Sequence, residues 1–224
     1  MSRIILFYGD SNTWGYRSGG ERLPANRRYT TMATRQAPDV IPVVDGVNGR
    51  CTVYESACIP PDLLGGATFE QVLKNTPQPD GVVIMLGTND VVPPLSLTAA
   101  QIAANLRRMV QTAKKTAPDM SAIVLVSPPP LGPHALAVMS EEEKARLDVL
   151  NEELPQALEK TAAEEHVEFL NGSSIVPCMD APDGYHLAEI GHLRIGLAIG
   201  SLLRSIALPK SRRGNPVEAA DLQG

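Results

Sequence analysis

Short apolar segments alternate with longer amphipathic ones along most of this chain. Four short apolar-rich runs, each followed by a polar or turn-forming residue, predict buried strands. They are Ile4–Tyr8, Val82–Leu86, Ala122–Val126 and Val167–Leu170. A further strand is expected near Val40–Val44, where Pro42 favours an edge position or an irregular segment because proline lacks the N–H of a sheet ladder. Strands that alternate with helices predict a parallel sheet with crossover helices.

The segments between the strands repeat their apolar residues with the period of a helix. One helix is predicted over Ala99–Thr116 and is stopped by Pro118. Ser140–Glu143 has the pattern of a capping box and opens a second long helix, in which Pro155 predicts a kink or a break. The predicted buried stripe of this second helix is Leu147, Leu150, Leu154 and Leu158.

The last predicted helix runs from about Ala188 to Ile206. Its apolar residues predict an inward face of Ile190, Leu193, Leu197 and Leu202. Beyond it, residues 209–224 are polar and without periodicity, which is typical of a disordered tail. With no internal repeat and no long linker, residues 1–208 are expected to form a single domain.

Composition and charge narrow the possible partners. The chain has 224 residues, 43% of them hydrophobic, and a net charge of −5, which argues against nucleic acid or an anionic membrane as partner. Its three cysteines are an odd number without framework spacing and are interpreted as reduced thiols. The first strand begins at about residue 3 and no apolar run reaches membrane-spanning length, so a cytoplasmic location is expected.

Ser11 follows the first predicted strand, at the sheet edge where ligands of parallel α/β folds bind. A serine becomes a nucleophile when a base takes its proton and a third group orients that base. Among the four histidines, His186 is the candidate base because Asp183 lies three residues before it in a loop. Chance, or helix capping by Asp183, is the alternative reading of this short spacing.

Two further residues are candidate donors to the negative oxygen that develops during acyl transfer. Asn89 follows the strand Val82–Leu86, and Gly49 follows the predicted edge strand, where its N–H approaches a ligand without a Cβ in the way. Taken singly, each is better explained by a turn. The occurrence of all these candidate residues together, in this order and at the expected strand ends, favours a hydrolase.

These motifs resemble the four sequence blocks of GDSL/SGNH hydrolases. The matching segments are Gly9–Ser11, Gly49, Gly87–Asp90 and Asp183–His186. The resemblance implies a flavodoxin-like three-layer α/β/α sandwich around a mostly parallel five-stranded sheet. It also implies a catalytic triad of Ser11, His186 and Asp183, with an oxyanion hole formed by Ser11, Gly49 and Asn89. Asn12 stands where the family has a leucine, at a position that does no chemistry.

A narrower resemblance, to the bacterial short-chain arylesterases and acyltransferases of this family, covers most of the chain. It is carried by Thr13–Gly15, Arg50, Met85–Asp90 and Val126–Leu131. It implies a cofactor-free and metal-free serine esterase for small acyl or aryl esters, possible acyl transfer, and a homo-oligomer. Trp14, Tyr16 and Arg50 are the expected substrate contacts, although Trp14 is equally consistent with loop packing.

Other functions remain as alternatives. A carbohydrate O-acetyl esterase or a thioesterase of the same family would use the same residues. A flavodoxin-like binding or signalling domain would explain Asp10 and Asp90 at strand ends, but not Ser11 together with Asp183 and His186. No glycine-rich nucleotide-binding motif is present.

Overall fold

Five parallel strands form one sheet in the computed structural model, which describes residues 2–206. Their order across the sheet is β2-β1-β3-β4-β5. Their bounds are β1 Arg3–Gly9, β2 Val40–Gly46, β3 Gly81–Met85, β4 Ala122–Val126 and β5 Glu168–Leu170. The five predicted strands are confirmed, and β2, with Pro42, does lie at an edge. The predicted tail 209–224 lies outside the described residues.

Helices cover both faces of the sheet. Their bounds are α1 Ser11–Trp14, α2 Tyr29–Gln36, α3 Gly65–Asn75, α4 Ala99–Thr116, α5 Pro133–Leu136, α6 Glu141–Glu164, α7 Gly172–Ile175 and α8 Glu189–Ser205. Alternate residues of β1 point into opposite cores: Leu6 and Tyr8 pack with α3, α4 and α6, whereas Ile5 and Phe7 pack with α2 and α8. The sheet is therefore the middle layer of the expected three-layer α/β/α fold.

The proline in α6 does not break the helix. The capping box of Ser140 and Glu143 is present, and the helix continues through Pro155 to Glu164. Of the predicted kink or break, the break does not occur, and the kink stays a prediction. Apolar residues on both sides of the proline pack into one core, and this burial outweighs the lost backbone hydrogen bond.

The predicted inward face of α8 was also wrong. Ile190 and Leu197 are 49% and 43% exposed, while Leu193 and Leu202 are half-buried. The buried face carries Ile195, Ile199 and Leu203 together with small residues, because α8 lies close against α2. A Cβ at Gly196 would stand 2.6 Å from the Tyr29 carbonyl oxygen. The prediction selected the large apolar residues of α8, whereas its contact with α2 is made at glycines.

The topology brings the candidate residues to one edge of the sheet. The chain passes from β1 to its neighbour β2 on one side, and then to β3 on the other. Parallel strands end together, so the segments that follow β1, β2 and β3 meet there. They carry Ser11, Gly49 and Asn89, at the switch point where open α/β sheets bind ligands.

Candidate active site

Ser11 is the first residue of α1, at the end of a sharp turn out of β1. The Asp10 carboxylate caps this short helix by accepting from the Asn12 N–H at 2.8 Å. A Cβ on Gly9 would lie 2.0 Å from Thr13 Oγ1 and 2.6 Å from the Met85 carbonyl oxygen, so the turn needs glycine at that position. Ser11 is consequently held in one position, mostly buried, with its hydroxyl at the sheet edge.

Three side chains form a continuous hydrogen-bonded line from Ser11. Ser11 Oγ lies 3.0 Å from His186 Nε2, and His186 Nδ1 lies 2.9 Å from Asp183 Oδ2. Since a carboxylate only accepts, the proton of the neutral imidazole belongs on Nδ1, and Nε2 accepts from the serine hydroxyl. The structure therefore brings together the three residues expected from the sequence.

The loop that carries Asp183 and His186 is fixed by its own backbone and by the serine turn. Asp183 Oδ1 accepts from the N–H groups of Tyr185 at 2.9 Å and His186 at 3.2 Å. Asn12 Oδ1 accepts from the Leu187 N–H at 2.9 Å, which ties the loop to the residue beside Ser11. Asn12 thus supplies no reacting atom but holds two parts of the site together, a role that the sequence analysis missed.

Asp183 receives one further hydrogen bond that no short motif reveals. The Ser18 hydroxyl donates to Asp183 Oδ2 at 2.7 Å. Burial tends to raise the pKa of Asp183, but the hydrogen bonds from Ser18, Tyr185 and His186 outweigh it and lower that pKa below its usual value. The carboxylate stays ionised beside the imidazole.

The two candidate oxyanion donors are linked to each other. Asn89 Nδ2 donates to the Arg50 carbonyl oxygen at 2.8 Å, directly after Gly49, whose φ of 82° favours glycine. An amide nitrogen carries two hydrogens, so this bond leaves one for another acceptor. Asn89 lines the same cleft as Ser11, whereas Gly49 lies in the loop that Asn89 holds.

Asp90 binds the Gly49 loop from the core side. Its carboxylate accepts from the Thr52 N–H at 2.8 Å and from the Thr52 hydroxyl at 2.6 Å. Asn105 Nδ2 in turn donates to the Thr52 hydroxyl at 3.1 Å. Burial raises the pKa of Asp90 to about 6, and it does the same for Asp10. Both acids hold loops in place.

The three residues expected to contact the substrate, Trp14, Tyr16 and Arg50, lie in different surroundings. Arg50 is 3% exposed and donates to the carbonyl oxygens of Gly9 at 3.0 Å and Asp45 at 2.8 Å. The buried guanidinium of Arg50 thus joins the ends of β1 and β2, and a role of Arg50 in substrate binding stays a prediction. Trp14 lies under the guanidinium of Arg22, 4.9 Å from its ring centre. Tyr16 packs on the imidazole of His186, at 4.4 Å between ring centres.

A cleft of about 500 Å³ opens above Ser11. Its walls combine apolar side chains with one carboxylate and the residues of the site. They are Ser11, Thr88, Asn89, Val92, Pro93, Val138, Met139, Glu143, Tyr185 and His186. None of Trp14, Tyr16 and Arg50 is among these lining residues. The cleft walls from the α5–α6 connection were not predicted, since no motif marks them.

The other histidines and cysteines stand apart from this line of residues. His166 is exposed, and His134 binds the Pro182 carbonyl oxygen through Nδ1 at 2.7 Å. His192 is fully buried in α8, and burial lowers its pKa to about 4. Cys51 is buried beneath the Gly49 loop, and burial raises its pKa to about 11.

The fold is a three-layer α/β/α sandwich with Ser11, His186 and Asp183 in one hydrogen-bonded line at the edge of its sheet, and comparison with known proteins identifies the family. The model of the GDSL-like lipase/acylhydrolase family matches residues 7–194, so the chain belongs to that family. No significant match was found among curated proteins. No helix within residues 2–206 has the length and apolar character to cross a membrane.

Several solved structures share this fold over almost their whole length. An inhibitor-bound aryl esterase from M. smegmatis is 26% identical with a TM-score of 0.81, covering 92% of this chain and 100% of its own. A carbohydrate acetylesterase family member from Sinorhizobium meliloti is 27% identical with a TM-score of 0.77, covering 90% and 97%. A third, described as a putative arylesterase from Agrobacterium tumefaciens, is 28% identical with a TM-score of 0.77, covering 92% and 100%. The protein is an ester-hydrolysing enzyme of this family.

Proposed function

We propose that the protein hydrolyses small carboxylic esters through a covalent acyl-enzyme on Ser11. The observation that carries this proposal is the line of hydrogen bonds from Ser11 Oγ through His186 to Asp183, which opens onto the cleft. A serine, a base and an orienting carboxylate in this geometry perform nucleophilic catalysis without a metal or cofactor.

The first half-reaction follows from the positions of these atoms. Ser11 Oγ attacks the ester carbonyl carbon while His186 Nε2 takes the hydroxyl proton, and Asp183 stabilises the resulting imidazolium. The carbonyl oxygen becomes an oxyanion, which the N–H groups of Ser11 and Gly49 and the Asn89 amide stabilise. Collapse breaks the ester C–O bond, and His186 returns the proton to the leaving alcohol.

In the second half-reaction, water or another alcohol attacks the acyl-enzyme. His186 removes the proton of the incoming hydroxyl and then returns a proton to Ser11 Oγ as the acyl group leaves. The hydrocarbon part of an alcohol can pack on the apolar walls formed by Val92, Pro93, Val138 and Met139, which favours alcohols as competitors of water. Acyl transfer is therefore part of the proposal.

The substrate is a small acyl or aryl ester, because the cleft has a volume of about 500 Å³ and an apolar part formed by Val92, Pro93, Val138 and Met139. A carbohydrate acetyl ester is the second candidate, favoured by the likeness to the Sinorhizobium meliloti acetylesterase. We further propose a cytoplasmic homo-oligomer built from one domain over residues 1–208. The loop Pro128–Pro133 is largely buried and offers little contact surface, whereas Val138 at the cleft rim is 82% exposed.

Labelling with a fluorophosphonate tests the nucleophile, since this probe reacts with activated serines. Wild-type protein should gain one adduct on Ser11, and Ser11→Ala should lose both the adduct and about 10⁴-fold or more in kcat. Ser121→Ala, at the opposite end of the sheet, is the matched control and should behave as wild type. A Ser11→Ala enzyme that keeps a tenth of its activity would refute the proposal.

A substrate panel then separates the two candidate substrates. Among nitrophenyl esters of rising acyl length, the acetate should be turned over fastest and the octanoate slowly, because the cleft has a volume of about 500 Å³. Acetylated xylan is tested in parallel. Faster release of acetate from xylan than from aryl acetates would favour the carbohydrate esterase.

A further inference from the structure

One short loop contacts both partners of Ser11. It runs over residues 15–23, between α1 and the 3-10 helix Ala25–Arg27. Tyr16 and Arg22 pair across it as an antiparallel bridge, and backbone hydrogen bonds of 2.7–2.9 Å join residue 17 to 21 and residue 23 to 15. We call this closed segment the 15–23 ribbon. Because its two arms are bonded together, its side chains are held in fixed positions.

The first contact of the ribbon is with the carboxylate. Ser18 Oγ donates at 2.7 Å to Asp183 Oδ2, the same oxygen that lies 2.9 Å from His186 Nδ1. Asp183 Oδ1 is already occupied by two backbone N–H groups of its own loop. Ser18 therefore completes the set of donors that fixes the rotation of this carboxylate, and it does so from a segment 165 residues away in sequence.

The second contact is with the imidazole. The Tyr16 ring lies 4.4 Å from the His186 ring, with 31° between their planes. Trp14 stands 6.3 Å behind Tyr16, and Arg22 stacks on Trp14. This stack supports one face of the imidazole, and an electron-rich ring beside it favours the cationic form that arises when Ser11 gives up its proton.

We propose that the 15–23 ribbon is a positioning element of the catalytic site, in which Ser18 fixes Asp183 and Tyr16 fixes His186. The proposal rests on the proposed serine-esterase function and adds two residues to it. Neither residue touches the reacting atoms, so both act through the base and its orienting acid. Gly19 and Gly20 form the tip of the ribbon, where an added Cβ meets nothing within 4 Å.

Removing the Ser18 hydroxyl tests the first contact. Ser18→Ala should lower kcat/KM by about tenfold, since a hydrogen bond to a charged group is lost. The carboxylate left with fewer donors holds the protonated imidazole more tightly, so the acid limb of the kcat/KM profile should move up by about half a pH unit. Ser18→Thr keeps a hydroxyl and should restore most of the activity and the original profile.

Ser121→Ala is the matched control for this change. The Ser121 hydroxyl also makes one hydrogen bond from a half-buried position, to the Asp80 carbonyl oxygen at 3.1 Å, but far from the cleft. It should leave both kcat/KM and the pH profile unchanged. A Ser18→Ala enzyme with the activity and pH profile of Ser121→Ala would overturn the role of Ser18.

Substitutions of Tyr16 test the second contact, and a double variant tests whether the two contacts act together. Tyr16→Phe keeps the ring and should retain activity, whereas Tyr16→Ala should lose about tenfold in kcat with little change in KM. The double variant with Ser18→Ala should lose less than the product of the single effects, because both changes loosen one ribbon. Full multiplicative losses, or a Tyr16→Ala enzyme with the kcat of wild type, would contradict the proposal.

The failure of this proposal is distinguishable from the failure of the esterase mechanism. Ser11→Ala is measured in the same assay as the ribbon variants. An inactive Ser11→Ala enzyme beside unaffected ribbon variants refutes the ribbon alone. An active Ser11→Ala enzyme refutes the serine mechanism on which the ribbon depends.

Discussion

Thr52→Val removes one buried hydroxyl from the bond network that holds the Gly49 loop. Thr52 is fully buried, and its hydroxyl donates to Asp90 at 2.6 Å while it accepts from Asn105 at 3.1 Å. Valine has nearly the same shape, so it leaves no large cavity. The change therefore isolates the hydrogen bonds of this hydroxyl.

The expected loss of unfolding free energy follows from the partners. A hydrogen bond to an ionised carboxylate contributes about 1.5–3 kcal/mol, and the half-buried Asn105 amide also loses its acceptor. Thr76→Val is the control, because the buried Thr76 hydroxyl donates to the neutral Val72 carbonyl at 2.9 Å, a bond worth about 0.5–1.5 kcal/mol. Thr52→Val should thus be the less stable of the two by about 1–2 kcal/mol.

Urea unfolding at pH 8 measures this difference, since burial raises the Asp90 pKa to about 6 and the carboxylate is ionised there. The same samples are assayed for ester hydrolysis. Thr52 lies three residues after Gly49, so a loosened loop should also lower kcat with KM nearly unchanged, whereas Thr76→Val should keep wild-type kcat. Equal stability of the two variants would refute the assignment of an ionised partner to Thr52.

Three further outcomes are expected. Asn89→Ala should lower kcat by about 10²–10³ with KM nearly unchanged, as for a lost oxyanion donor; a variant that loses stability but keeps kcat would show that Asn89 only supports its turn. Burial lowers the pKa of His192 in the folded protein to about 4. As the pH falls below about 6.5, His192 therefore takes up a proton in the unfolded protein first. The free energy of unfolding of wild type should therefore fall relative to that of His192→Asn between about pH 6.5 and 4. A difference between the two proteins that does not change with pH would contradict this. Iodoacetamide at pH 8 should label the exposed Cys58, spare the buried Cys51 and leave activity unchanged, as peptide mass spectrometry would show; rapid loss of activity would place a reactive thiol at the site.

Local signals in the sequence were sufficient for the strands and for the residues of the motifs. The bounds of α4 agree with the prediction because its cap, its period and its proline stop are all encoded within a few residues. Likewise, Asp183 and His186 lie in one turn, so their contact depends on three residues of spacing. Ser11 could be placed beside them because the carboxyl ends of parallel strands lie at the same edge of the sheet.

Features that depend on distant partners were the ones missed. Arg50 follows a glycine of the site, yet its buried guanidinium binds Asp45, five residues before it, and Gly9, which the pairing of β1 with β2 brings near. The face of α8 was misassigned because the fit of glycines against α2 is invisible to a hydrophobic count. Ser18 is an ordinary loop serine until the fold places it beside Asp183.

The site is assembled by hydrogen bonds between loops, and this links catalysis to stability. Asn89 and Asp90 are adjacent, yet Asn89 faces the cleft and binds Arg50, while Asp90 is buried and binds Thr52. One strand end therefore holds the Gly49 loop at two points, one near the proposed chemistry and one in the core. A change at the core point should reach the oxyanion donors through two residues of backbone, whereas a change at the cleft point should leave the fold intact. The Thr52→Val and Asn89→Ala variants together separate these two effects.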